Sequence, residues 1–366
     1  MKESRILVVF TGGTIGSAPA AGALRPAGEG ARKLLLTHFA DEKQRIFEER
    51  FQRKLFFDTV CPYEILSENL NGDHLEKLEA CILERGAENY EGIIVTTGTD
   101  TLAYSSAALG YAFGELSVPM VTVSANYPLS DERSNGFSNF EGALLLILSG
   151  GHKGVFCSYD NGDNHFIHYA TRLLPQMNYS HRVESVMGKV YGRITGMSLE
   201  RTDLGREDQA KERQKGNREE PWGDKREIKR EEENKEEDVV LSCKNLAKQK
   251  VLFIRPYPGI VYEAPGDYAC VLLDTYHSGT LPVMERGFQN FLTKMQKKKI
   301  PVFAAGVPRG LVYETVELMK KSGVVILPPA SPAAMYMKLW MALESGPDLA
   351  GLIETVFQNR GHDLDF

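Results

Sequence analysis

Two short turns in this sequence carry residue types that can do nucleophilic chemistry, and they share one grammar. The first is Thr11-Gly12-Gly13-Thr14-Ile15-Gly16, reached directly from the apolar run Ile6 to Phe10. The second is Thr97-Gly98-Thr99-Asp100-Thr101, reached from Gly92-Ile93-Ile94-Val95-Thr96 and followed by an apolar helix. A threonine hydroxyl is a weak nucleophile at neutral pH and must be activated by a base or by its surroundings. Glycines let such a turn bend and leave room for a ligand beside the backbone. Either turn alone would read as a tight turn with a threonine cap; the pair reads as an active-site layout. A dinucleotide loop is disfavoured, because the G-x-G-x-x-G spacing is absent and no acidic residue closes a second strand. A P-loop lacks its Gly-Lys-Ser/Thr ending.

The elements that must position these turns follow from the spacing of apolar residues. Each apolar run before a turn reads as a buried strand, and in open α/β sheets ligands bind in loops at the carboxyl ends of strands. Two strands therefore deliver hydroxyls and a carboxylate to one rim. Ser17 to Gly30 is rich in Ala, Gly and Pro and reads as a flexible loop over that rim. Gly30 to Ala40 and the charged stretch beyond it read as helix, Lys54 to Val60 as strand, Leu66-Ser67-Glu68-Asn69 as loop and Asp73 to Arg85 as helix. Leu102 to Phe113 and Phe140 to Leu148 read as helices around a buried strand at Val118 to Ser124. Strands at Gly154 to Tyr159 and Phe166 to Ala170 flank Asp160-Asn161-Gly162-Asp163-Asn164, a turn without the spaced ligands and final Glu of a calcium loop. Alternating elements of these lengths predict a doubly wound parallel sheet.

Composition bounds the rest. The chain has 366 residues, 42% hydrophobic and 25% charged, enough for two domains with proper cores. A net charge of −6 argues against a nucleic-acid surface. No apolar run approaches a membrane span, and no signal peptide precedes the first strand. The five cysteines, Cys61, Cys81, Cys157, Cys243 and Cys270, are scattered and fit reduced thiols in a cytoplasmic protein. The histidines show no metal spacing, so neither metal nor organic cofactor is expected. From Arg201 to Asp238 both charge signs mix with almost no apolar stripe; this reads as a solvated insertion. The expected division is a catalytic domain over 1–200, the insertion over 201–238, and a smaller α/β domain over 239–366. That second domain has strands at Val251 to Arg255, Cys270 to Asp274, Pro301 to Ala305 and Val324 to Leu327. Its helices are expected at Val283 to Lys297, Tyr313 to Lys321, Ala333 to Leu343 and Asp348 to Gln358.

The two turns resemble the paired signatures of the bacterial-type L-asparaginases, and the cytoplasmic type I branch is the nearer match. Leu66-Ser67-Glu68-Asn69, Tyr127-Pro128-Leu129, Arg133-Ser134-Asn135-Gly136, Tyr257-Pro258-Gly259 and Ala330-Ser331-Pro332-Ala333-Ala334 agree in order along nearly the whole chain. The resemblance implies an amidohydrolase that turns L-asparagine and water into L-aspartate and ammonia. It implies Thr14 as primary nucleophile, with Thr99 and Asp100 in a second catalytic group. Asp100 and Glu68 would hold the substrate's α-ammonium and Ser67 its α-carboxylate, while Gly13 and Gly98 keep the loops open. It also implies a homodimer or homotetramer, with no nucleic-acid or membrane partner, serving asparagine catabolism.

Two departures from the family pattern stand out. No Tyr occurs between Thr14 and Arg53, where relatives carry one on the loop beside the nucleophile. Pro175, in Ala170-Thr171-Arg172-Leu173-Leu174-Pro175, falls where relatives carry a Lys paired with the second signature's Asp. Losing an acid–base partner costs on the order of 10²–10⁴ in rate. Arg172, Tyr169 or His168 are the nearby candidates to stand in. Thr97 and Asn135 replace the family's His and Asp and keep hydrogen-bonding capacity. Two other readings compete: a degenerate sensor of acidic amino acids or their amides, and the asparaginase-like subunit of a tRNA-dependent amidotransferase.

Overall fold

The computed structural model describes residues 1–20, 22–40, 42–202, 204–205, 241–246, 250–264, 266–310 and 312–364. The expected insertion lies, beyond Gly205, outside the described residues. The larger unit is built on an eight-stranded sheet. Its strands are β1 (Lys2–Phe10), β4 (Arg53–Val60), β5 (Gly92–Thr96), β6 (Pro119–Val123), β7 (Gly154–Asp160), β8 (His165–Tyr169), β9 (Gly192–Thr195) and β10 (Ser198–Arg201). They lie side by side in the order β10-β9-β8-β7-β6-β5-β1-β4. The remaining strands of this half, β2 (Ser17–Ala20) and β3 (Ala23–Pro26), pair only with each other.

The five strands β7, β6, β5, β1 and β4 run parallel, as the alternating elements predict. Beyond β7 the sheet turns antiparallel, through the tight Asp160–Asn164 turn and then a second hairpin, so it is mixed rather than wholly parallel. Successive side chains of a strand face opposite ways, and here both faces are covered. Ile6 and Val8 of β1 pack with Leu35, Phe39, Phe140 and Leu144, on α1 (Glu29–Ala40) and α5 (Gly136–Ser149). Leu7 and Val9 pack on the other side with Leu78, Ile82, Leu109 and Phe113, on α3 (Gly72–Arg85) and α4 (Leu102–Phe113). Burial on both faces explains the unbroken apolar runs that mark the parallel strands. Between α1 and β4 the charged stretch forms α2 (Glu42–Phe51).

The smaller unit is a four-stranded parallel sheet of β11 (Val251–Ile254), β12 (Cys270–Asp274), β13 (Val302–Ala305) and β14 (Val324–Ile326). Its helices are α6 (Arg286–Lys297), α7 (Glu314–Lys321), α8 (Pro332–Glu344) and α9 (Leu349–Phe357). Helix α8 starts where Ser331 accepts from the Ala334 N–H and Pro332 occupies the first turn, the usual start signal. The same Ser331 hydroxyl donates to Leu173 O at 2.6 Å, tying α8 to the large sheet's half.

A second tie lies at the far end of α4. The Lys338 ammonium meets the Asp363 carboxylate at 2.7 Å with neither side chain exposed, and the Tyr111 hydroxyl donates to the same carboxylate at 2.8 Å. Thr171 donates to Gly361 O, and the Arg172 guanidinium donates to His362 O at 3.1 Å. Among the described residues no helix is long and apolar enough to cross a membrane.

Candidate active site

The rim at the carboxyl ends of β1 and β5 is assembled from three loops locked to each other. Thr11 Oγ1 donates to Thr96 O at 2.6 Å and Thr11 N donates to Thr96 Oγ1 at 3.3 Å, so the exit of β1 is bolted to the exit of β5. The loop after β4 runs beside the first turn: Gly13 N donates to Ile65 O at 2.8 Å and Ile65 N to Thr11 O at 3.2 Å. Two short 3-10 turns, Ser67–Asn69 and Thr99–Thr101, then face each other. Ser67 Oγ donates to Asp100 Oδ2 at 2.7 Å, and Thr101 Oγ1 donates to Ser67 O at 3.3 Å.

Two glycines make this junction possible. A Cβ on Gly13, whose φ is 73°, would lie 2.5 Å from Gly98 N. A Cβ on Gly98 would lie 2.6 Å from Ser67 Oγ and 3.1 Å from Gly13 Cα. Any side chain at either position pushes the loops apart. The expected residues Thr14, Thr99, Asp100, Ser67, Glu68, Gly13 and Gly98 thus stand on three loops that touch one another. Thr14 and Thr99 are half-buried, while Asp100 and Glu68 are exposed. Among the described residues no Lys or Arg lies within ion-pair distance of Asp100 or Glu68.

The stretch beyond Thr14 differs from the flexible loop expected there. β2 and β3 form a hairpin with Ser17 opposite Pro26. Its base is held by Ser17 Oγ donating to Gly13 O at 2.7 Å, Ala27 N to Gly16 O at 2.9 Å and Gly28 N to Glu64 Oε1 at 2.7 Å. Cross-strand pairing, invisible to single-strand periodicity, builds it.

The three stand-ins considered for the absent Lys are engaged elsewhere. His168 pairs with Cys157 between β7 and β8, and its Nδ1 is 2.8 Å from Ser185 Oγ. Burial, aided by His165, lowers its pKa to about 3, which removes it as an acid or base near neutrality. Tyr169 is buried among Phe156 and Tyr191. Arg172 donates to His362 O and Val186 O, both at 3.1 Å. The chain there lies against Gly110, near the far end of α4 from Thr99.

What sequence reasoning misses sits two strands over. After Leu173 the chain turns back along α4, and Leu173 packs with Leu102, Ala103 and Tyr159. Gln176 Nε2 donates to the Tyr159 hydroxyl at 3.1 Å, and that hydroxyl donates to Asn126 Oδ1. Burial pushes the Tyr159 phenol up to about 12, so it stays a donor at any working pH. Asn126 N in turn donates to Asn135 Oδ1 at 2.9 Å, and Asn135 Nδ2 to Asp160 O at 2.9 Å. Asn135, which keeps the hydrogen-bonding capacity of the family's Asp, is a peg between the exits of β6 and β7. The available signal is positional: Asn126 follows Val123 by three residues, just as Thr99 follows Thr96, and Thr96 and Val123 are in register. Among the described residues no trio of His, Cys, Asp or Glu could hold a metal ion.

Known proteins resemble this chain to different extents. Residues 5–187 match the family model described as asparaginase, N-terminal. The chain is similar to a 60 kDa lysophospholipase of Mus musculus (29% identical over 157 residues, 39% of this chain and 28% of that protein). It is similar to an L-asparaginase of Dirofilaria immitis (28% over 168 residues, 40% of this chain and 28% of that protein). The matches thus span little more than a quarter of either relative. A glutamyl-tRNA(Gln) amidotransferase subunit of Sulfurisphaera tokodaii is 23% identical over 393 aligned positions, covering 100% of this chain and 76% of that one. Among solved structures, the thermostable L-asparaginase from Thermococcus kodakarensis superimposes with a TM-score of 0.71 at 19% identity, covering 99% of each chain.

Proposed function

The chain belongs to the asparaginase family, and from that premise we propose that it is an amidohydrolase cleaving the side-chain amide of L-asparagine to L-aspartate and ammonia. The observation that carries this reading is the junction of the three loops. Two half-buried threonines stand beside a Ser67–Asp100 pair and an exposed Glu68, with no protein cation within ion-pair distance of either carboxylate among the described residues. Such carboxylates suit a substrate ammonium.

In the proposed reaction Thr14 Oγ attacks the amide carbon, and its proton passes to the leaving nitrogen as the C–N bond breaks. Ammonia departs, a Thr14 ester remains, and water hydrolyses it to release aspartate. The developing oxyanion requires preorganised donors, each worth several kcal/mol. Backbone N–H groups of the Gly98-Thr99 turn are the first candidates. Asp100 and Glu68 hold the α-ammonium, and Ser67 the α-carboxylate, its hydroxyl proton turning from Asp100 to the substrate as the ammonium takes its place. The family's paired chains, cytoplasmic setting and role in asparagine breakdown are part of the same proposal.

A second reading is favoured by the full-length similarity to the amidotransferase protein of Sulfurisphaera tokodaii: the chain would then release ammonia only with a partner protein and charged tRNA. One assay separates the possibilities. Purified protein is offered L-asparagine, L-glutamine and D-asparagine alone, and ammonia is measured. Turnover of L-asparagine that disappears in Thr14→Ala, with aspartate still raising Tm, supports the first reading. Wild-type-like turnover by Thr14→Ala refutes the nucleophile, and ligand-induced stabilisation without turnover points to a sensor or to an incomplete complex.

A further inference from the structure

Among the described residues no lysine or arginine lies within ion-pair distance of Asp100, so the described groups able to meet charge that develops at the second signature are neutral donors. We infer that Asn126, oriented by Tyr159 and Gln176, is a substrate-contacting donor that stabilises the oxyanion in this chain. The inference rests on the amidohydrolase reading and adds a residue to it.

The placement follows from the sheet. β5 and β6 are parallel neighbours with Thr96 opposite Val123, and Thr97 N donates to Val123 O at 2.8 Å. Both chains leave the sheet on the same rim, and three residues later one carries Thr99 and the other Asn126. Neighbouring strands lie about 4.8 Å apart, so the two exits stand side by side on one rim. Tyr159 packs with Leu102 and Ala103, the first turn of α4 directly after Thr99–Thr101, which brings its phenol under that rim.

The orientation follows from donor counting. A phenol has one proton. Gln176 Nε2 donates to the Tyr159 oxygen, so the phenol's proton goes to Asn126 Oδ1. That fixes which side of the carboxamide is the acceptor and leaves the Nδ2 amino group as its free donor end. No described residue accepts from that Nδ2, and Asn126 is partly exposed while Tyr159 is fully buried. The backbone is held as well, by Asn126 N donating to Asn135 Oδ1. A neutral carboxamide with its acceptor locked and its donors unclaimed by any described residue is a preorganised group of the kind that stabilises an oxyanion.

The test compares wild type with Asn126→Asp and Tyr159→Phe in the ammonia-release assay. Asn126→Asp keeps the size and the acceptor for Tyr159 but replaces the donor by an oxygen. Its kcat should fall on the order of 10²–10³-fold, with KM for L-asparagine changed less than about threefold and aspartate still raising Tm. Tyr159→Phe frees the carboxamide to rotate and should lower kcat by about tenfold, again with little change in KM. A structural role alone would instead lower Tm and raise KM together. Undiminished kcat in Asn126→Asp overturns the inference while leaving the amidohydrolase reading intact. Absence of turnover by the wild type overturns the reading and this inference with it.

Discussion

Replacing Gly98 by Ala tests whether the contact between the three loops sets catalytic geometry. The backbone at Gly98 has φ −84° and ψ 153°, a conformation any residue adopts, so the substitution adds no torsional strain. Its whole effect is steric. The new methyl would lie 2.6 Å from Ser67 Oγ and 3.1 Å from Gly13 Cα. Ser67 cannot rotate away cheaply, because it is buried, its hydroxyl holds Asp100 and its carbonyl accepts from Thr101. The loops must therefore part by roughly 1 Å, a displacement that costs on the order of 10²-fold when it separates reacting groups. Overpacking of this kind costs about 1–3 kcal/mol of stability, or about 2–4 °C in Tm per kcal/mol for a chain above ~150 residues. The assay is kcat/KM for ammonia release alongside a thermal melt. Gly30→Ala is the control, since that glycine lies in α1 with nothing within 4 Å of its added Cβ; it should hold or gain stability with unchanged turnover. A Gly98→Ala protein within threefold of wild-type kcat/KM would refute the idea that loop contact sets the geometry.

Other expectations follow from particular contacts. Ser67→Ala removes the donor to Asp100 and should raise KM about tenfold, the equivalent of ~1.4 kcal/mol, while kcat changes little; a KM within twofold of wild type would contradict the role of this pair. Lys338→Met leaves Asp363 buried without its cation and should cost about 3–5 kcal/mol, read by urea unfolding, with kcat unchanged because the pair lies beside Tyr111 at the far end of α4. His152 and His168 both have pKa values lowered to about 3 by burial, with Arg201 adding to the effect at His152 and His165 at His168. The unfolded chain takes up these protons near pH 6.5 and the native chain does not, so their stabilisation is complete above that pH and is lost as pH falls from 6.5 toward 3. Between pH 7 and pH 5 each should remove about 2 kcal/mol, and a flat unfolding midpoint over that range would exclude the shifts.

Much of the fold is written in local patterns, because strands buried on both faces leave unbroken apolar runs. Gly92 to Thr96 is β5 to the residue, and Ile6 to Phe10 is the buried carboxyl-terminal part of β1, whose half-exposed start at Lys2 carries no such run. The β2–β3 hairpin is not legible, since its apolar content is low and its order comes from pairing and from the Glu64 anchor. The antiparallel extension of the sheet escapes for a similar reason, with β9 and β10 too short to show a period. At the site, the signatures mark which loops matter, but their mutual contacts require three dimensions. The Asn126–Tyr159–Gln176 chain joins three segments remote in sequence, and no local spacing announces it. The stand-ins for the missing Lys fall away because nearness in sequence to Pro175 is not nearness to the rim.

The closure around residues 361–363 has a consequence for how the molecule comes into being. Thr171 and Arg172 take their acceptors from Gly361 and His362, 190 residues further along, and Tyr111 donates to Asp363 across 252 residues. On a ribosome adding about 5–20 residues per second, the 190-residue interval lasts roughly 10–40 s. Throughout it the nascent large sheet holds α4 and the chain after β8 without the segment that clasps them. Folding of the first half is then provisional until that clasp arrives. Nascent chains arrested before Gly361 should be cleaved between β8 and β9 at a protease level that full-length protein withstands, and equal resistance in the two would show that the first half matures unaided.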